Sequence, residues 1–216
     1  ELFAQNVQIA YENVQLQAEL EDTQREIVHR LSEAVEQRST ETGNHVKRVS
    51  AICYLVAQLY GLPENEAEIL MHASPLHDVG KIGIPDSILN KPEKLLPREW
   101  ETMKEHARKG YDILKESKRP IIKAGAIIAR DHHERWDGSG YPSGLAGEDI
   151  HIYGRISAIA DVYDALRHNR CYKEAWPIDK VVELLQQERG KHFEPRLVDL
   201  ILQNIEKVES ILDANK

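Results

Sequence analysis

The chain has 216 residues, 41% hydrophobic and 30% charged, enough for one good-sized core plus an appendage and too apolar for a disordered chain. Its formal charge of −8 at pH 7 argues against broad binding of DNA or RNA, although bound cations and local Lys or Arg residues can invert the sign of one pocket. No apolar run approaches the roughly 20 residues that span a bilayer, and Cys53 and Cys171 lie far apart without CxxC spacing, which leaves no basis for a disulfide framework or a thiolate metal site.

The start, ELFAQNVQIAYENVQ, has neither the basic region nor the apolar block of a signal peptide, so a cytoplasmic setting is expected. The chain begins at Glu1 without an initiator methionine, as a piece of a longer protein would. Residues 1–38 contain no Gly or Pro, which favours one uninterrupted helix. A heptad reading places Leu2, Ile9, Leu16 and Thr23 at one seam position and Asn6, Asn13, Leu20, Ile27 and Ala34 at the other. Asn6 and Asn13 there cost stability and specify register. The seam then drifts toward Val28, Leu31 and Val35, as in a helix leaving a coiled coil for a globular core. Residues 1–39 therefore read as a linker and a parallel dimerisation helix, and residues 40–216 as the main domain. The plainer alternative is a lone amphipathic helix packed on its own domain.

From residue 44 short amphipathic segments take over. Residues 45–60 carry Val49, Ile52, Cys53, Val56, Ala57 and Tyr60 at helical spacing, with Gly61 where a C-terminal cap belongs. Residues 64–78 predict a second helix, which Pro75 should kink or locally open. Residues 97–116 and 121–133 predict further helices, and the glycine-rich stretch 134–154 a long structured loop. Helix is expected again over 153–166, 178–188 and 195–212. No run of alternating strands and no internal repeat is found, so the expected fold is all-α.

Ten histidines are many for this length, and their placement says more than their number. A lone helical histidine is usually a satisfied core or surface residue. Here His45, His77, His106, His132 and His133 fall beside carboxylates or each other: His77-Asp78 is followed by Gly80 and Lys81, and His132-His133 by Glu134. Neighbours on a helix point about 100° apart, so the doublet is expected to serve two adjacent ions rather than grip one. All these donors are N and O atoms, which suit Fe, Mn or Zn in an open hydrolytic site.

The segments HDVGKIGIP (77–85), HHERWDGSGYP (132–142) and ADVYDA (160–165) resemble, in this order, the HD-GYP domains, a branch of the HD phosphohydrolase superfamily. The signature is Gly140-Tyr141-Pro142, and the resemblance runs from about Thr40 to Leu200. It implies an all-helical HD-domain bundle, here behind a long N-terminal coiled-coil-like helix. The implied activity is metal-dependent hydrolysis of cyclic di-GMP to linear pGpG and on to GMP, with cyclic GMP-AMP as an alternative substrate.

Residue by residue, the resemblance implies metal ligation by His77, Asp78, His106, His132, His133 and Asp161, with Asp78 placed to bridge two ions. His45 matches a further ligand, and Glu41, four residues before it, would complete a third metal site despite the intervening Gly43. Two or three divalent ions are implied, Fe or Mn first, then Ni, Zn or Mg.

Lys81, four residues after His77 on a helix, would face the same cavity and stabilise a phosphate oxygen or protonate the leaving group. Its plainer role is a solvated lysine. Arg170 and Lys173 match positions that grip substrate phosphates, with Cys171 standing where the family has proline. Asp164 is read as orienting a ligand histidine or lying near the water, and it is counted with Tyr141 among the substrate-side residues. Tyr141 and Trp136 either stack on guanine or pin the loop, Trp136 more naturally the latter. The loop would also contact diguanylate cyclase (GGDEF) domains. Against hydrolysis of a cyclic dinucleotide stand two other readings: a binding-only sensor or cyclase-docking module, and a nucleotide or triphosphate hydrolase of the HD type.

Overall fold

The computed structural model describes residues 2–39, 44–168 and 175–215. Glu41, Gly43, Arg170, Cys171 and Lys173 fall outside them. The described residues form an all-α bundle without a sheet; an isolated bridge between Arg189 and Phe193 is the extent of β pairing there. No helix among them is long and apolar enough to cross a membrane.

Helix α1 (Leu2–Arg38) is continuous, as the absence of Gly and Pro predicts. Residues 3–23 are exposed on every side. Burial begins at Val28 and continues through Ser32, Val35 and Glu36. That spacing of four, three and one residues is one helix face. Leu31, expected to drift inward, is 56% exposed, because the docking face passes through Ser32 instead. Val28 of this stripe packs with Leu76, Leu114 and Ala126 in a small satellite core.

Helix α2 (Asn44–Tyr60) ends where Gly61 adopts φ +94°. The Gly61 and Leu62 amides both return to the Ala57 carbonyl, which closes the helix as a left-handed cap. Helix α3 (Glu64–Ala73) is shorter than expected. The residue before a proline is biased away from the α region, and from Ser74 to Gly83 the chain runs as a 3-10 segment with Pro75 in its first turn. The HD dyad therefore rides on 3-10 backbone.

The short α4 (Asp86–Leu89), absent from the sequence expectation, precedes α5 (Pro97–Leu114) and α6 (Pro120–Asp131). Both longer helices begin at a proline, whose missing N–H costs nothing there. After the loop, which contains a 3-10 turn at Gly147–Asp149, come α7 (Ile152–Arg167) and α8 (Ile178–Gln187). The single helix expected over 195–212 is two, α9 (Pro195–Gln203) and α10 (Ile205–Ala214), broken at Asn204 with φ −122° and ψ 26°.

The main core joins α2, α3 and α6–α10 through residues such as Ile52, Leu70, Ile128, Ile159, Leu185, Leu197 and Ile201. It fixes α2, α6 and α7 as a backing for His45 on α2, His132 and His133 just past α6, and Asp161 and Asp164 on α7.

Candidate metal centre

The HD segment can reach His106 of α5 only because Gly80 has no side chain. A Cβ there would stand 1.9 Å from the His106 carbonyl oxygen and 2.5 Å from the Gly110 nitrogen. Backbone therefore packs on backbone, and Asp78 Oδ1 comes within 3.4 Å of His106 Nε2 and 3.9 Å of His132 Nε2. Asp78, His106, His132 and His133 each bring a ligand atom within 4.8 Å of the others, and Glu36, His45 and His77 form a second such group.

Four histidines are held alike. The Nδ1 atoms of His77, His106 and His132 lie 2.9, 2.7 and 3.1 Å from the carbonyls of Ser74, Met103 and Ile128, and that of His45 lies 2.7 Å from Asp164 Oδ2. Since each acceptor has only lone pairs, each Nδ1 carries a proton and donates it, which turns Nε2 toward the shared space as the ligating atom. The Nε2 atoms of His106 and His132 then face each other at 3.4 Å, and buried His77 Nε2 and Asp78 Oδ1 lack a hydrogen-bond partner. Lone pairs converging in a buried space, with a carboxylate among them, call for a cation.

The electrostatics agree. Burial, with the neighbouring His77, pushes His132 down to about 3, and burial with His132 holds His133 well below the usual range. Burial also lowers His106. These imidazoles are neutral, as ligands must be. For His77 burial opposes protonation, yet Asp78, Asp161 and Glu36 outweigh it and lift the ring to about 10. That second proton sits on Nε2, 3.2 Å from Asp78 Oδ2, and is the one a bound cation would replace. Burial works against ionised Asp78, but Lys81 and His77 hold it well below the usual carboxylate range. The donor set fits divalent ions with N and O ligands.

The structure gathers His45, His77, Asp78, His106, His132, His133, Lys81 and Asp161 into one place. Asp161 Oδ1 lies 3.5 Å from His45 Nε2. Lys81 Nζ lies 2.6 Å from Asp78 Oδ2. The lysine thus aligns with Asp78, three residues earlier, rather than with His77, because a 3-10 turn closes in three residues. The histidine doublet also departs from expectation. α6 ends at Asp131, so His132 and His133 sit beyond its last turn, their ring centroids 3.9 Å apart. Both contribute to the same cluster with Asp78.

Asp164 is buried behind His45. It takes Arg48 Nε at 2.6 Å on Oδ1 and Nη2 at 3.1 Å on Oδ2, besides the His45 ring. It orients a candidate ligand. Tyr141 stacks on His133 at 4.7 Å between centroids, with Lys104 Nζ 5.7 Å from its ring centre. Trp136 pins the loop: its amide donates to the His192 carbonyl, its own carbonyl accepts from Gly147, and Arg155 lies over its ring. Glu134 accepts the Ser143 and Leu145 amides at 2.7 and 3.0 Å. Gly140 is obligatory, since a Cβ would sit 2.4 Å from the Arg135 nitrogen. Glu36 was not among the expected ligands, and its one sequence signal is its place eight residues after Val28 on the docking face. Glu41, Arg170 and Lys173 lie outside the described residues.

Residues 29–197 match the HD domain family. A 3′3′-cGAMP-specific phosphodiesterase of Vibrio cholerae is 50% identical over 204 residues, 94% of this chain and 39% of that protein. The cyclic di-GMP phosphodiesterase response regulator RpfG of Xanthomonas campestris pv. campestris is 48% identical over 193 residues, 89% of this chain and 51% of the relative. The chain thus spans about half the length of these relatives or less. The crystal structure of a V. cholerae cyclic GMP-AMP-specific phosphodiesterase shares the fold, with TM-score 0.66 at 20% identity over 89% of this chain and 50% of that one. With its HD and Gly-Tyr-Pro motifs in place and most of its length matched, the chain belongs to the HD superfamily of phosphohydrolases, in the HD-GYP phosphodiesterase family.

Proposed function

We propose that this chain is the catalytic part of a metal-dependent phosphodiesterase that opens guanine-containing 3′,3′-cyclic dinucleotides. The observation that carries the reading is the set of Nδ1-anchored histidines aiming Nε2 at Asp78. Two or three divalent ions, Fe or Mn first, would be held by His45, His77, Asp78, His106, His132, His133 and Asp161, with Glu36 or Glu41 completing the last position. Bound there, they supply the Lewis acidity that lowers the pKa of water and neutralises phosphoryl charge.

The protein's own groups do the rest. The Nδ1 hydrogen bonds hold each imidazole in its ligating tautomer. Lys81, its ammonium kept beside Asp78, donates to a phosphoryl oxygen or to the departing ribose oxygen. Arg170 and Lys173 grip the second phosphate, and Tyr141 forms the base-side wall of the cavity. Residues 1–39 act as a linker that pairs two copies, and residues 40–216 as the phosphodiesterase domain. Control from an upstream domain is supported by the likeness to a response regulator; docking of GGDEF cyclase domains rests on the motif resemblance, and the setting we assign is the cytoplasm.

Between substrates, the 50% identical relative named for 3′3′-cGAMP favours cyclic GMP-AMP, and the 48% identical relative named for cyclic di-GMP supports that dinucleotide as the second reading. Protein purified without oxygen and loaded with Fe or Mn should linearise cyclic GMP-AMP with the higher kcat/KM in direct competition. His77→Ala and Asp78→Asn should abolish turnover. Faster turnover of cyclic di-GMP would reverse the substrate order. Tight binding of either with no product over hours would sink the enzymatic reading and leave a sensor.

A further inference from the structure

Arg38, the last residue of α1, places its whole guanidinium on the segment that carries Lys81. Nη1 donates to the carbonyls of Lys81 and Ile82, both at 2.9 Å, and Nη2 to the carbonyl of Ile84 at 2.7 Å. Nε donates to Asp86 Oδ1 at 3.0 Å, which Nη2 also approaches at 2.8 Å. These carbonyls lie where the 3-10 segment ends; that of Lys81 also takes the Ile84 amide that caps it, at 3.0 Å. A planar fork with five donors matches several acceptors at once in a way that a lysine cannot. Besides Arg38, the Lys109 ammonium holds the same turn, at the Gly83 carbonyl, 3.0 Å away. Residues 82 and 83 are themselves exposed, so packing alone does not fix this turn.

We propose that Arg38 is a positioning residue for Lys81: it clamps the backbone from Lys81 to Ile84 and so sets where the ammonium stands beside Asp78. This rests on the reading of Lys81 as a group that faces the phosphodiester. Arg38 touches neither Asp78 nor the histidine cluster, so its effect on the reaction should pass through Lys81.

The test is a double-mutant cycle on the full metal-loaded chain with the preferred cyclic dinucleotide, together with hydrogen exchange on the metal-free protein. Arg38→Gln should lower kcat by about tenfold, the worth of one lost charge-assisted hydrogen bond, with KM within twofold and metal content unchanged. Arg38→Lys should recover part of that loss. In a Lys81→Met background, Arg38→Gln should have no further effect, and amides 81–86 should exchange at least tenfold faster in Arg38→Gln protein.

Additive losses in the cycle would overturn the proposal, because a merely structural clamp lowers activity whatever stands at position 81. Unchanged exchange over 81–86 would also overturn it, and needs no activity at all. If Lys81→Met alone left turnover intact, the role given to Lys81 would fail, and with it the proposal, which a normal exchange difference at 81–86 could not rescue. Should Arg38→Gln unfold, the Arg38→Lys variant still carries both measurements.

Discussion

Replacing Gly80 by alanine tests whether backbone contact between the HD segment and α5 builds the metal centre. The added Cβ would lie 1.9 Å from the His106 oxygen, 2.5 Å from the Gly110 nitrogen and 2.8 Å from the His106 carbonyl carbon. Ordinary contact needs about 3.4 Å or more, so the segments must separate by roughly 1–1.5 Å, and no rotamer change can relieve atoms of the main chain. Overpacking of a filled interior costs about 1–3 kcal/mol, and backbone opposition places this case at the top of that range. For a chain of this size each kcal/mol lowers Tm by roughly 2–4 °C, so a fall of about 6–12 °C is expected in metal-free protein. The same displacement carries His106 Nε2 away from Asp78 Oδ1, now 3.4 Å apart, and bound metal should drop by about one equivalent. Gly61→Ala is the control: its φ is +94° but a Cβ there meets nothing within 4 Å, so it should cost about 1 kcal/mol and leave metal content unchanged. If Gly80→Ala melted within a degree of the parent and kept its metal, the close approach would have no role in the site.

Asp164→Asn removes the charge between His45 and Arg48, both buried; leaving Arg48 without its counter-charge should cost about 3 kcal/mol in urea unfolding, with weaker metal retention at His45, and parental values in both would refute the orienting role. His192, pushed down to about 4 by burial and then by Arg135, is neutral when folded and binds its proton more readily when unfolded. Its contribution is therefore full above the unfolded value of about 6.5 and is lost as pH falls from there toward 4, up to about 3 kcal/mol; a His192→Gln protein with the same pH slope as the parent would contradict this. Leu16→Asp, at an exposed seam position, should convert a dimer to a monomer in sedimentation velocity, and a parent that sediments as a monomer at micromolar concentration would refute pairing through α1.

Much of the site was legible because its chemistry is local in sequence. His77-Asp78 and His132-His133 are adjacent pairs, Asp161 and Asp164 share one helix face of α7, and their residue types have few other uses in such density. What the sequence concealed depended on backbone detail. Pro75, expected to kink or locally open its helix, ends α3 and starts a tighter 3-10 helix, which moves Lys81 from the register of His77 to that of Asp78. The doublet was given helical divergence although α6 stops just before it. Asn204 breaks the last helix, its side-chain amide donating to the Leu200 carbonyl and its own carbonyl accepting from Val208, and a lone Asn inside an apolar helical pattern does not announce this. Glu36 stayed hidden because a glutamate in a polar heptad stretch looks solvated until the docking of α1 buries it. Glu41, Arg170 and Lys173 are still carried by motif resemblance alone.

The burial pattern of α1 has a mechanical consequence. The helix is exposed through residue 23 and first buried at Val28, which makes that contact the natural pivot of a stiff rod. At about 1.5 Å per residue, roughly 38 Å of rod lies on the side of Phe3 and roughly 15 Å on the side of Arg38. Tilting about Val28 therefore scales motion down by about 2.5 and reverses its direction. A swing of about 5 Å at the far end becomes about 2 Å at Arg38, small beside the width of a helix but enough to pull apart hydrogen bonds of 2.9 Å.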